Sequence, residues 1–414
     1  MVELLSPIQD FVSLEAAIQA RADAVYFGIK GMNMRAGAKN FSLKELEKVV
    51  KICHKNNVKA YLAINTIVYD DELNKIKEIL KKAKKVKIDA IIAWDFSVIS
   101  DANKLNLPIH ISTQASISNF EAIKILKKKF KNFERVILAR ELSLEQINNI
   151  IKKLKKEKIN VKIETFVHGA MCVSVSGRCF LSQEVFGKSA NRGECLQPCR
   201  RKYLIKCQKS KISEHHQKKE KFFLRDVEEK HELEIGEDYV LSPKDLCALP
   251  FLDKLVKSGI SCFKIEGRNR SPEYVKVVTD IYREAIDNPK ADKKKLLEKL
   301  KTVYNRGFSS GFYMGKPIDE WSKTYGSKAT KKKIYVGVVK NFYKNVKVAE
   351  IKIESHGVKI GDHIMIQGNK TGVVEQSIKS MQKDHKRVNG IKKGFVGVKL
   401  EMVVRENDRV FVII

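Results

Sequence analysis

No stretch of this chain stays apolar for the roughly 18 to 20 residues that a bilayer crossing needs. Its first residues, MVELLSPIQDF, lack the basic start, apolar run and small-residue cleavage site of a secretory leader. A soluble cytoplasmic protein with no membrane association is therefore expected. The zinc-protease helix motif HExxH is missing. The cysteines form no CxxC pair, which removes the paired knuckles of a zinc ribbon. Acidic residues are scarce beside basic ones, 49 Asp and Glu against 80 Lys and Arg in 414 residues, a formal charge of +31. So one-sided a balance makes a positive field that attracts polyanions, RNA foremost. The alternative is a solvated, lysine-rich surface of the thermophilic kind, although there Lys and Glu rise together.

What is present is a regular alternation. Short apolar runs, VELLSP, AVYFGI, KAYLAIN, DAIIAWD, PIHISTQ, ERVILAR and VKIETFVHG, are separated by amphipathic stretches such as SLKELEKVVKICHKN and SLEQINNIIKKLKKE. Apolar strands joined by helical crossovers predict a parallel sheet buried on both faces. Seven such units before residue 170, and an eighth strand at CFKIEG followed by a helix from about Pro272, predict an α/β fold. The expected architecture is a (β/α)8 TIM-like barrel over 1–290, with an open doubly wound sheet as the alternative. Residues 208–238, charged and without apolar periodicity, read as an exposed insertion with a hairpin around FFLRD and solvent-facing His215 and His216. Residues 291–333 connect to 334–414, where short alternating strands split by glycine and polar turns predict a small C-terminal antiparallel β-barrel. From Lys331 onward there are 18 basic and 8 acidic residues, a net of +10. Such an appendage is able to hold RNA by its phosphates; a solvated barrel that only packs on the main domain is the other reading.

Polar residues collect at the C-terminal tips of the predicted strands: Asn65, Asp95, Thr113, Gln114, Arg140, Glu141, His168, Glu266 and Arg268. In a parallel barrel these tips surround one mouth, where ligand sites are built.

Cys172, Cys179, Cys195 and Cys199 fall in one segment between Glu164 and Arg201, among Gly169, Gly177 and Gly193. Buried cysteines acting as small hydrophobes need no common neighbourhood, so the segment predicts a metal centre. An iron-sulfur cluster and a four-thiolate zinc site draw on the same ligand set, and unliganded thiols are the third possibility. Cys247 is the reserve ligand, while Cys53, Cys207 and Cys262 read as core residues. Arg178, Arg192, Arg200 and Arg201 lie around the thiols, with Arg268 and Arg270 on the late strand. Guanidinium groups bind carboxylates and phosphates in bidentate fashion, and ordinary pairing with Glu184, Glu194 or Glu266 is the alternative.

This segment resembles the signature of the family historically called peptidase U32: Glu-x-Phe-x-x-Gly, then Cys, Gly-x-Cys and Ser, here Glu164, Phe166, Gly169, Cys172, Gly177, Cys179 and Ser182. ADAVYFG at 22–28, STQA at 112–115, ARELSL from Ala139, NRGECLQPCR from Asn191, LSPKDLCALP from Leu241 and FKIEGRNRSPEYV from Phe263 are similar to the family as well. The combination is most similar to its prephenate-dependent tRNA uridine hydroxylase branch. The resemblance implies an oxygen-independent hydroxylase holding a 4Fe-4S cluster on Cys172, Cys179, Cys195 and Cys199. It implies prephenate as hydroxyl donor, and 5-hydroxyuridine at the wobble position of tRNA as product. On that reading Arg35, Arg192, Arg268 and Gln114 bind substrate, and His168 and Glu164 are the catalytic residues. One departure is Pro7-Ile8-Gln9, where the family has Pro-Ala-Gly. Two other classes stay open: a collagenase-like peptidase, as the older family name suggests, with Cys172 or Cys179 beside His168 as nucleophile, and a zinc-stabilised, non-catalytic RNA-binding protein.

Overall fold

The structure, a computed structural model, describes residues 2–175, 178–201, 241–315, 320–322, 324 and 326–414, with the backbone of 222–225 and 232–235. The apolar runs become parallel strands: Glu3–Pro7 (β1), Ala24–Gly28 (β2), Lys59–Ile64 (β3), Ala90–Ala93 (β4), Ile109–Ile111 (β5), Phe133–Ile137 (β6) and Lys162–Gly169 (β7). Three short strands follow, Phe222–Arg225 (β8), Glu232–Ile235 (β9) and Asp245–Cys247 (β10), before Cys262–Ile265 (β11). Strand β11 pairs in parallel with both β7 and β1, and this closes an eight-stranded barrel. The open doubly wound alternative is thereby removed. Strands β8 and β9 form an antiparallel hairpin starting at FFLRD. His215, His216, Cys207 and Gly177 lie outside the described residues.

The helices are built by amphipathic spacing and side-chain caps. Asp10 and Ser143 cap Phe11–Gln19 (α1) and Leu144–Lys156 (α6) with reciprocal capping boxes. Leu46–Lys55 (α2), Leu73–Lys85 (α3), Phe96–Lys104 (α4) and Phe120–Lys129 (α5) complete the crossovers of the first half. In α3 the buried residues are Ile76, Ile79, Leu80 and Ala83, and in α6 Ile147, Ile150, Ile151 and Leu154, one apolar stripe each. Leu181–Phe186 (α7) and Leu252–Lys257 (α8) are short; Pro272–Asp287 (α9) starts on a proline whose missing N–H costs nothing at that position, and Lys293–Lys301 (α10) follows. Among the described residues no helix is long and apolar enough to cross a membrane.

Below its mouth the barrel is filled by a buried ionic layer. Arg135 Nη1 contacts Glu3 at 2.7 Å and Glu164 at 3.1 Å, Lys264 reaches Glu164 at 2.8 Å, and the Tyr61 hydroxyl donates to Glu3. Glu164 is fully buried, and two cations satisfy it.

Strand Phe308–Ser309 (β12) adds to β10. Beyond it the chain turns antiparallel: Lys333–Tyr343 (β13), Val348–Ile353 (β14), Val358–Lys359 (β15), His363–Gly368 (β16), Gly372–Ser377 (β17), Met381–Lys383 (β18), Lys386–Arg387 (β19), Gly390–Ile391 (β20), Gly394–Lys399 (β21) and Arg409–Ile413 (β22). Eight of these make one sheet in the order β17-β16-β22-β13-β14-β21-β18-β19, wrapped round its own apolar core. The sheet docks on α1 and α9. Ala16, Met365, Val373 and Phe411 are buried between them, Gln19 bonds the Thr371 carbonyl and the Val373 N–H, and Glu273 takes both Lys333 and Gln367.

Candidate functional site

At the C-terminal end of the barrel a narrow pocket is lined by Tyr26, Arg35, Gln114, Arg140, Glu266 and Arg268, among others. Arg35, in the loop after β2, grips Glu266 Oε1 through Nε at 3.1 Å and Nη2 at 2.8 Å. Arg140, after β6, stands 3.7 Å from Glu266 Oε2 with its guanidinium 3.8 Å from the centre of the Phe166 ring. Burial alone would raise the Glu266 carboxyl, yet Arg35, Arg140 and Arg268 together hold it at about 2. Arg268 is less well served. It is 4% exposed, donates Nη1 to Asn33 Oδ1 at 3.1 Å, and leaves Nε without a partner. Burial draws it down to about 10. Three guanidinium groups thus share one carboxylate in a desolvated cleft, which favours a further anion, above all a small carboxylate able to take two N–H donors.

The thiol segment crosses this mouth. It leaves β7 at Gly169, φ +108°, where a Cβ would stand 2.5 Å from the Glu266 carbonyl oxygen. Its far side is pinned by Gly193, φ +84°, where a Cβ would stand 2.3 Å from the Asn33 carbonyl oxygen. Only glycine fits either place. Ala36 N–H donates to the Gly193 carbonyl, and Ile67 N–H and Thr66 Oγ1 donate to the Asn191 carbonyl. Arg192 binds Glu72 with both arms and also bonds the Ile67 carbonyl. Arg178 reaches Ser116 Oγ at 2.8 Å, and Arg200 ties the Met171 and Pro243 carbonyls. The loop is therefore clamped to the connections after β2, β3 and β5 and to the approach to β10.

Cys172 and Cys195 are exposed and Cys179 and Cys199 half-buried. Burial pushes the Cys195 and Cys199 thiols up, and Cys199 also feels Cys172, Cys195 and Cys179, so all four share one electrostatic neighbourhood. Three of them accept a backbone N–H from the residue two places on: Ser174 to Cys172 at 3.5 Å, Leu181 to Cys179 at 3.4 Å, and Gln197 to Cys195. Such bonds favour thiolate and tune a bound iron-sulfur group. Among the described residues no three His, Cys, Asp or Glu side chains close to single-ion spacing. Four thiols in one electrostatic neighbourhood, three of them prepared by amide donors, are the donor set that a polynuclear iron-sulfur cluster takes, each thiolate on a separate metal atom.

The structure brings Arg35, Gln114 and Arg268 into the pocket and places the other expected residues elsewhere. Arg192 is spent on Glu72 and fastens the thiol loop. Glu164 sits in the ionic layer below. His168 turns away because β7 carries a bulge: Lys264 faces Phe166 but Ile265 faces His168, so Val167 is the extra residue and the alternation from 164 and 166 breaks there. The His168 ring, 2% exposed, packs against Tyr274, Tyr282 and Phe308 outside the barrel lumen, and burial draws it down to about 4. Cys247 is beside it, 2% exposed, accepting from the Tyr282 hydroxyl at 3.8 Å and pushed up to about 11 by burial; it takes no part in the interactions among the four thiols. Asp95 caps α4. Arg140 and Glu266, strand tips by sequence, prove central to the pocket, and Asn33, which the sequence does not mark, joins them by accepting from Arg268. Residues 307–311, GFSSG, have the spacing of a nucleophile elbow, but Ser309 ends the two-residue β12, its Oγ accepts the Gly311 N–H, and no described histidine bonds it.

Residues 9–323 match the family profile described as Peptidase family U32. The chain is 46% identical over 422 residues to a Methanocaldococcus jannaschii protein named as an uncharacterized protease, covering 100% of this chain and 98% of that one. It is 39% identical over 423 residues to a collagenase of Porphyromonas gingivalis, covering 99% and 97%. It is 31% identical over 377 residues to tRNA hydroxylation protein P1 of Bacillus subtilis, covering 88% and 83%. The names divide between proteolysis and RNA hydroxylation, while the family match takes in the barrel from α1 onward and the thiol loop across its mouth. On the breadth of these matches, the chain belongs to the peptidase U32 family.

Proposed function

We propose that this protein is an RNA hydroxylase that carries a 4Fe-4S cluster on Cys172, Cys179, Cys195 and Cys199 and takes its hydroxyl oxygen from a small dicarboxylate, prephenate, to form 5-hydroxyuridine at the wobble position of tRNA. The observation that carries the reading is the clamping of a four-thiol loop over a pocket holding three arginines and one carboxylate. When bound, the cluster supplies one-electron redox chemistry. The chain's own residues bind and orient: Arg268, with its unpartnered Nε, and Arg35 and Arg140, now sharing Glu266, are the groups that hold carboxylates. Arg268 is buried and the Arg140 guanidinium lies against the Phe166 ring, and this desolvation strengthens each charge-assisted bond there. Relatives named for tRNA hydroxylation and for ribosomal 5-hydroxycytidine synthesis support an RNA substrate.

The test is anaerobic purification with iron, sulfide and visible absorption measured for the wild type and each Cys→Ser variant, joined to mass spectrometry of RNA nucleosides from cells with and without the gene. The expected result is a coloured protein, bleached by any of the four substitutions, and a nucleoside one oxygen heavier than uridine that disappears on deletion. Unchanged nucleosides would overturn the reading.

A peptidase is the second reading, favoured by the names of two relatives and by the GFSSG spacing. Against it, Ser309 lacks a described base, and the neighbouring pair His168 and Cys247 is buried. Cleavage of gelatin by metal-free protein, abolished in Ser309→Ala or Cys247→Ala, would establish it.

A further inference from the structure

Beside the arginine pocket lies a second, more apolar cleft of about 380 Å³ between α4 and α5, walled by Trp94, Phe96, Ile117 and Ile125 and edged by Gln114 and Arg178. Phe96 and Ile125, on opposite lips, are 63% and 65% exposed and border one continuous apolar cleft. Gln114 lines both cavities, so the cleft and the arginine pocket share that side chain as a wall. Arg178 adjoins Cys179 in the chain and is held in place by Ser116. The cleft therefore leads to the thiol loop.

The hydrogen bonds fix how Gln114 presents itself. Met34 N–H donates to Asn65 Oδ1, which makes the other end of the Asn65 amide a donor; that donor meets Gln114 Oε1 at 3.1 Å. Ser112 Oγ donates to the same oxygen. The Gln114 oxygen is thus fully engaged, and its Nε2 donors, with no partner among the described residues, are directed to whatever occupies the junction of the two cavities.

We infer that this cleft receives one unstacked base of an RNA strand and that Gln114 reads it by donating to a carbonyl oxygen on its edge. The inference rests on the RNA reading above and adds the contact that would select the base. Three features commit the occupant. Trp94 and Phe96 give the cleft aromatic groups of the kind on which bases stack whatever their sequence, with Ile117 and Ile125 as apolar packing beside them. The rim is cationic, with Arg178 and with Lys129 Nζ 5.8 Å from the centre of the Phe96 ring, as a polyanionic strand requires. The free polar group is a donor, which uracil, cytosine and guanine meet with a carbonyl oxygen and adenine only with a ring nitrogen.

The experiment is fluorescence anisotropy of the full-length protein with short labelled oligouridylate and oligoadenylate. The wild type is expected to bind oligouridylate more tightly. Phe96→Ala, at an exposed site that leaves the core intact, is expected to weaken both by roughly tenfold, the scale of one lost stacking contact. Gln114→Glu keeps the acceptor that Asn65 and Ser112 need but removes the donors; it is expected to cost oligouridylate roughly tenfold more than oligoadenylate. Unchanged binding in Phe96→Ala, an equal loss on both strands in Gln114→Glu, or capture of a gelatin peptide in preference to either strand would overturn the inference. Complementing a deletion strain separates the two failures: RNA nucleosides unaltered by deletion overturn the RNA reading, whereas full restoration by Gln114→Glu overturns the cleft alone.

Discussion

Arg268 is a buried cation that the fold does not need. It has one hydrogen bond, an unpartnered Nε, and like-charged Arg35 nearby. Its burial costs solvation that one hydrogen bond repays poorly, and Glu266 keeps Arg35 and Arg140 when it is lost, so an apolar group of similar length removes a penalty along with the attraction to Glu266. Arg268→Met is therefore expected to leave the thermal midpoint unchanged or raised while increasing the KM for the anionic co-substrate by about tenfold or more, since a charge-assisted bond contributes about 1.5–3 kcal/mol. A melting scan beside steady-state kinetics checks both halves; a lowered midpoint with unchanged KM would make Arg268 structural. His168 gives the opposite case, a group held neutral by burial. Its folded value, about 4, lies below the ordinary 6.5, so on acidification the unfolded chain takes up the proton first. The stability it contributes is complete above pH 6.5 and lost as pH falls towards 4, up to about 3 kcal/mol. Urea unfolding of metal-free protein at pH 7.5 and 4.5 is expected to show a larger loss for wild type than for His168→Gln. That residue also marks what sequence alone reveals. Thiol spacing and guanidinium placement are legible because chemistry needs those residue types together. The facing of His168 is not, because one inserted residue, Val167, reverses the strand's alternation and leaves no compositional trace.

The barrel strands were readable for the reason that makes them strands: buried on both faces, they must be apolar along their whole length. The thiol loop, regular only in the short α7, has no such constraint, and its position is decided by contacts distant in sequence. Arg192 to Glu72, Asn191 to Ile67, and Gly193 against Asn33 all join it to the connections after β2 and β3. Of these, Gly193 is the least replaceable. Its φ of +84° disfavours any side chain, and a Cβ there meets backbone rather than a flexible side chain. Gly193→Ala is therefore expected to lift the loop from the mouth without unfolding the barrel: iron content and visible absorption of anaerobically purified protein drop several-fold, while far-ultraviolet circular dichroism and the thermal midpoint stay within a few degrees of wild type. Gly187→Ala, in the same loop with φ +64° but no atom within 4 Å of the added carbon, is the control; it carries the conformational strain without the clash and is expected to retain most of its iron. Equal losses in the two variants would show that backbone strain, not docking, governs the site.

At the scale of the molecule the C-terminal sheet is both fixed and charged. Its docking on α1 and α9 through Gln19, Glu273 and a small apolar patch holds it to the barrel. Its far edge, at β18, β19 and the turn after β20, presents Lys383, Lys386, Arg387, Lys392 and Lys393, all exposed and with no ion pair among the described residues. Charges left free in this way add little to folding, because exposed lysines gain nothing from one another and are screened by salt. They do, however, set the field a polyanion meets. If the appendage binds the RNA backbone, each phosphate contact releases counterions, and the slope of log affinity against log salt records how many contacts form. Substituting Lys383, Lys386 and Arg387 by serine is expected to weaken tRNA binding and to make that slope less steep by about 2 to 3, with the preference between oligouridylate and oligoadenylate unaltered, because phosphate contacts carry no base information. Gln114→Glu is expected to do the reverse, altering the preference and leaving the slope nearly as it was. A salt titration of the two variants side by side thus separates a basic edge that holds the strand from a cleft that reads it; an unchanged slope in the triple variant would assign the positive charge of this sheet to a solvated surface.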